Sequence, residues 1–288
     1  MFDRFARSWD LIKASGRVLA ADKELLALPV LSAIAGMLVI ASFLYPALID
    51  GWLPQAVRDA QASGQGDPLV YAWIFALYVV LYFVGFFFNA ALVCAALERL
   101  RGGDPTLGSA LAGASSRFWA ILGYAVIAAT VGLILRAIEE RVGWVGKIVI
   151  GLIGAVWTIA TFLAVPVLVA QDVGPIEAVK QSATLLKKTW GENLIGQAGI
   201  GFGFFLIYFV VGLVFVGLLM LVGGEGGGAV AGVLIALFIV TVLLLAVVQA
   251  ALAAIYSAAL YRFAAEGDAG SAFGAQTLSH AFQPKLVS

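Results

Sequence analysis

Six stretches free of Asp, Glu, Lys, Arg and His, each long and apolar, constrain this chain more than any other feature. They run Leu25–Ile49, Pro68–Leu97, Phe118–Leu135, Ile148–Gln171, Asn193–Gly224 and Gly226–Tyr261. About 20 mostly apolar residues suffice for a helix to cross a hydrocarbon core roughly 30 Å thick. The apolar character runs all round each helical wheel, which fits a membrane span and not a surface helix. The last window exceeds what a bilayer needs, so its Tyr256–Arg262 end is expected to continue into the headgroup region. Gly223-Gly-Glu-Gly-Gly-Gly228 reads as a tight turn between the last two spans. No Lys or Ser/Thr follows those glycines in a phosphate-binding pattern.

Composition agrees. Of the 288 residues 62% are hydrophobic and 12% charged, whereas a soluble domain is about one quarter charged. No polar stretch is long enough for a soluble domain. The fold expected is all-α: one polytopic membrane helix bundle over 1–288, with spans near 25–48, 70–97, 118–137, 146–170, 194–222 and 229–260. The N-terminus is not expected to be a cleavable signal, because its first apolar run starts late and is too long. Pro166 should kink the fourth span near its inner end.

Orientation follows from the basic residues. Arg4, Arg7, Lys13, Arg17, Lys23, Arg99, Arg101, Arg117, Lys180, Lys187, Lys188, Arg262 and Lys285 fall on one side; Arg58, Arg136, Arg141 and Lys147 fall on the other. The richer side is expected to be cytoplasmic, with both termini there, in a multi-pass protein of the cell (inner) membrane.

The segments on that side carry helical periodicity of their own. Ile176, Val179, Ala183, Leu186 and Trp190 recur at steps of three and four in 174–190, with Pro175 suited to the first turn. Phe2, Phe5, Trp9, Ile12 and Leu19 do the same in 2–20. Leu107, Leu111, Ala114 and Phe118 follow Asp104-Pro105 in 105–116. Ser8-Trp-Asp-Leu-Ile-Lys13 also echoes Ser182-Ala-Thr-Leu-Leu-Lys187. The pattern predicts three transmembrane hairpins, each led by an amphipathic helix on the cytoplasmic surface.

The chemistry of sites is sparse. With one histidine, His280, and one cysteine, Cys94, the usual zinc sites and His-based nucleophilic triads are excluded. Glu139 and Glu140 are adjacent and point apart on a helix. The expectation is a protein that is not an enzyme and that binds no metal or cofactor. Net charge is +0 with no basic cluster, so nucleic acid is not an expected partner.

Three sets of residues remain as candidates. Asn89, Gln197 and Gln249 fall at similar depth toward the cytoplasmic side. They could form a polar vestibule, or they could bond between helices. Lys180, Lys187 and Lys188 could form a face for a cytoplasmic or membrane protein partner, or for membrane lipid headgroups; the same helix could equally serve only as an anchor. Gly199 and Gly203 in the fifth span, and Ala250 and Ala254 in the sixth, are small enough for close helix packing. The oligomeric state is not readable. The main functional expectation is a non-catalytic protein that organises partners or lipids at the cytoplasmic face. The alternative is a transporter or channel for a small or amphipathic solute.

The run Val165-Pro-Val-Leu-Val-Ala-Gln-Asp-Val-Gly-Pro-Ile-Glu-Ala-Val179, continuing through Ser182, Leu186 and Lys188 to Trp190-Gly-Glu, resembles the signature of an uncharacterised prokaryotic family. Its members are six-span integral membrane proteins carrying a domain of unknown function. Met1-Phe-Asp-Arg-Phe-Ala-Arg-Ser-Trp9, Gln249…Ile255-Tyr-Ser-Ala-Ala-Leu-Tyr-Arg262 and Ala281-Phe-Gln-Pro-Lys285 resemble it too, so the resemblance covers essentially the whole chain. The Pro–acid–Gly-Pro-x-x-Ala pattern is also similar to the membrane domain of some glycerophosphodiester phosphodiesterases. That similarity spans one helix pair, carries no catalytic residue and implies no phosphodiesterase activity.

Overall fold

A computed structural model describes residues 13, 15–20, 22–63, 67–188, 193–222 and 228–267; at 57, 60–63, 188, 193–200, 202, 228 and 229 it describes the backbone alone. Among the described residues every regular element is a helix. They are α1 (Ala27–Ile49), α2 (Trp52–Ser63), α3 (Pro68–Leu100), α4 (Leu107–Ser116), α5 (Phe118–Glu139), α6 (Trp144–Ala160), α7 (Ala164–Ala170), α8 (Pro175–Lys188), α9 (Asn193–Val222) and α10 (Gly228–Glu266). A 3-10 turn, Lys23–Leu26, leads into α1. Six helical stretches are long and apolar enough to cross a membrane: Lys23–Ile49, Pro68–Leu100, Phe118–Glu139, Trp144–Ala170, Gly203–Val222 and Val230–Glu266.

The second span, α3, is the hub. It packs on α1, α4, α5, α7 and α10, while α9 packs chiefly on α10. Packing is concentrated at one end of the bundle. In α3 the buried residues all fall in Ala90–Leu100, and the preceding 68–89 segment has none. On α10 the buried residues run through Ala251–Arg262, Ala253 excepted, joined by Ala164–Leu168 of α7 and by Ala110 and Ala114 of α4. Alanine dominates these positions, and small side chains let helix backbones approach closely where lipid gives no hydrophobic drive to associate. Glycines extend the effect. A Cβ at Gly113 would sit 2.7 Å from Cys94 Sγ, and one at Gly123 would sit 2.9 Å from Pro175 Cγ.

Ion pairs lace the same end together. Arg99 bonds Asp22, ahead of α1, and Asp104, ahead of α4; Arg117 bonds Asp172 in the connection between α7 and α8. Arg262 donates to the Leu100 carbonyl at the end of α3 and to Glu266, which also pairs with Arg101. At the opposite end the contacts are mostly aromatic: Trp73 packs on Phe43 and Trp52 at ring distances of 4.9 and 5.5 Å, and Phe215 stacks on Phe238 at 4.2 Å, while Arg136 of α5 donates to the Tyr78 hydroxyl of α3 at 3.0 Å and pairs with Glu140.

The short helices depart from expectation in detail. Thr106 caps α4 in a reciprocal box with Ser109, so that helix starts at Leu107 and ends before Phe118, which opens α5. The helix α2 has no counterpart among those expected. For the N-terminal helix, residues 15–20 are helical with Ser15, Val18 and Leu19 buried. Phe2, Phe5, Ser8, Trp9 and Ile12 lie outside the described residues, as do Trp190, the 223–227 turn and His280.

Candidate functional site

The fourth span is broken where a kink is expected. Pro166 has no N–H to bond the Phe162 carbonyl, and its ring crowds that carbonyl. The helix stops at Ala160, turns through Thr161, Phe162 and Leu163, and restarts at Ala164. Phe162 N–H bonds the Ile159 carbonyl and Ala164 N–H bonds the Thr161 carbonyl, both one residue short of the α pattern. That shift orphans the Leu163 N–H and the Ala160 carbonyl. Both find the same partner. Ser182 Oγ, on α8, accepts from Leu163 N–H at 3.0 Å and donates to the Ala160 oxygen at 2.7 Å.

Ser182 therefore decides how α8 is turned. The line it buries is Ala178, Ser182 and Leu186. The apolar line read from the sequence differs: Leu186 is buried and Val179 half-buried, but Ala183 is exposed and Ile176 is 63% exposed. A serine that seals two backbone groups takes precedence over the larger apolar side chain. The outward face then carries Ile176, Lys180, Ala183 and Lys187, all exposed; the Lys188 side chain lies outside those described. The same residues explain the motif that carries the resemblance. Pro166 breaks the span, Asp172 pairs with Arg117, Pro175 packs on Gly123 and Ala178 is fully buried.

The three carboxamides do not all meet. Gln249 accepts a hydrogen bond from Tyr208 Oη of α9 at 3.0 Å, which ties the last two spans together. Asn89 lines a separate cavity of about 800 Å³ between α1, α3 and α10, and Gln249 is not among its lining residues. The Gln197 side chain lies outside those described. Of the small residues singled out, Ala254 is buried, Ala250 is exposed, and both line that cavity with Ala246, Ala253 and Ser257. So the small face of α10 borders open space along part of its length. Gly203 lies within α9 next to buried Phe204, and Gly199 is described by its backbone alone.

Sequence reasoning missed Ser182 as the seal of the break, and missed the walls opposite Asn89: Ser32 and Pro29 of α1, and Phe162. One signal was available for Ser182. It is the polar member of a helical line otherwise made of Ala178 and Leu186. Among the described residues no three His, Cys, Asp or Glu side chains gather as metal ligands would.

Six helices of this length and hydrophobicity, tied at one end and bordered by exposed apolar surface, are compatible with a multi-pass α-helical membrane protein. The chain belongs to the family of unknown function DUF6159, whose model matches residues 69–273. No curated protein and no solved structure matches it.

Proposed function

We propose that this chain is a non-catalytic protein of the cell inner membrane that gathers anionic lipid at its cytoplasmic face through α8. The observation that carries this reading is the fixed presentation of α8. Ser182 bonds it to the backbone of the fourth span, and Lys180 and Lys187 stay exposed beside Ile176 and Ala183. An apolar side chain next to lysines suits the boundary between acyl chains and phosphates. The excess of Lys and Arg on that side supports a cytoplasmic location for both termini. The helices read as three hairpins, each led by a surface helix, with α4 and α8 as the second and third leaders. The Pro–acid–Gly-Pro-x-x-Ala pattern, from which a resemblance to the membrane domain of glycerophosphodiester phosphodiesterases is expected, falls on the break and on the start of α8. Those residues have packing roles, which supports a non-catalytic part for the segment.

The transporter reading has less support, because Gln249 is engaged by Tyr208 and does not share the cavity of Asn89. The test is native mass spectrometry of the full chain purified with phosphatidylglycerol and phosphatidylcholine. Lys180→Gln and Lys187→Gln should each lower retention of the anionic lipid by roughly fivefold, the equivalent of one lysine near a charged surface. Unchanged retention in the double variant overturns the reading.

A further inference from the structure

The cavity between α1, α3 and α10 carries polar groups that differ from most others in the spans. Elsewhere most described polar side chains at membrane depth have a partner, the buried Tyr256 hydroxyl being an exception that lies off the cavity wall. Ser42, Thr130, Thr158, Thr241 and Ser257 donate to carbonyls of their own helices, and Gln171 and Gln249 bond tyrosines. Ser32 and Asn89 both line the cavity, and neither has a hydrogen-bond partner among the described residues. An unpaired carboxamide facing hydrocarbon is costly. Asn89 stands eleven residues before the end of α3, about 16 Å along the helix and within the stretch long and apolar enough to cross a membrane.

The rest of the wall limits what can satisfy it. None of the lining residues is an acid, a base or a histidine, so an ionised headgroup drawn to this depth would be uncompensated. The rims are Val30, Ile34 and Met37 on α1 and Val240, Leu243 and Leu244 on α10, all exposed and all within membrane-spanning helices. The cavity thus opens sideways into the acyl layer, and its contents come from the bilayer. Its volume, about 800 Å³, falls within the usual range for a small-molecule site. The polar groups sit toward the packed end, and the walls beyond them are wholly apolar. A molecule with one polar end and a long chain matches that order.

We propose that this cavity binds an uncharged long-chain amphipath bearing ester or hydroxyl groups, the chemical class of mono- and diacylglycerols. The Asn89 carboxamide donates to an ester carbonyl or accepts from a glycerol hydroxyl, Ser32 supplies a second bond, and the chain lies along α10. Asn89 is the recognition residue. The site is independent of the lysines on α8.

The test uses the full chain in phosphatidylcholine vesicles doped with a monoacylglycerol whose chain carries a diazirine. A phosphatidylcholine with the same diazirine chain is the control. Peptides from α1 and α10 should label more with the glyceride than with the control. Asn89→Leu should lower glyceride labelling by roughly fivefold, in line with the loss of one intramembrane hydrogen bond. Ala250→Phe, whose ring projects from the α10 wall into the cavity, should lower labelling by both probes there while labelling of α9 is unchanged. That unchanged labelling shows that the variant is folded. Equal labelling by the two probes, insensitive to Asn89→Leu, means bulk lipid and overturns the proposal. So does crosslinking of the cavity walls to a second copy of the chain.

Discussion

The two ends of this bundle obey different packing rules although both are built from apolar helices. At the end that carries α4 and α8, alanines and glycines bring backbones together, and arginines tie helix ends to acids and carbonyls. At the other end bulky residues such as Met220, Leu221 and Val233 stand exposed, and the joining contacts are mostly aromatic, with one arginine, Arg136, reaching the Tyr78 hydroxyl. The contrast shows that hydrophobicity marks where a helix meets the membrane, and side-chain size marks where it meets another helix. Lipid is as apolar as leucine, so only close fit and polar bonds favour protein over lipid as a neighbour.

The largest effect expected from breaking the packed end is at Ser182. Ser182→Ala leaves the Leu163 N–H and the Ala160 carbonyl without partners in a water-poor site. Thermal unfolding in nanodiscs should show a loss of about 2–6 kcal/mol, at about 1–3 for each of the two unsatisfied groups. A loss under about 0.5 kcal/mol would mean the break is sealed some other way. Next comes Gly123→Leu. Its Cβ alone would meet Pro175, so α8 must shift, at a cost of about 1–3 kcal/mol. Proteolysis of the connection before α8 should speed up in that variant, and an unchanged rate would count against tight docking of Pro175. Arg262→Met is smaller. It removes the bond to the Leu100 carbonyl and leaves Glu266 to Arg101, for about 1–2 kcal/mol in the same unfolding assay.

These sites also show how far the sequence could be read. The spans were legible because charge-free runs of that length have one stable home. The cause of the irregular fourth span was legible in Pro166. Its extent was not, because the groups that replace the lost helix bonds come from Ser182, on a different helix. The register of α8 was misjudged for the same reason. Periodicity ranks Ile176 above Ser182 as a buried residue, and the backbone's need for a hydroxyl reverses that order. Asn89 and Gln249 looked alike at similar depth. Which one meets a tyrosine and which a cavity depends on helix rotation, and a helix apolar all round does not encode rotation in its hydrophobic pattern. The small face of α10 was visible as alanines and a serine. Whether such a face touches a neighbour or borders space depends on how far α1 and α10 splay from α3.

The central claim, that size and not hydrophobicity sets the two ends apart, can be tested on one helix. Ala258 and Ala236 both lie on α10, the first fully buried at the packed end and the second exposed in the opposite half. Thermal unfolding of Ala258→Leu and Ala236→Leu in the same nanodiscs compares identical chemistry at the two places. The first should lose about 1–3 kcal/mol through overpacking, and the second should stay within about 0.5 kcal/mol of the parent. Equal losses, or a larger loss at Ala236, would contradict the account.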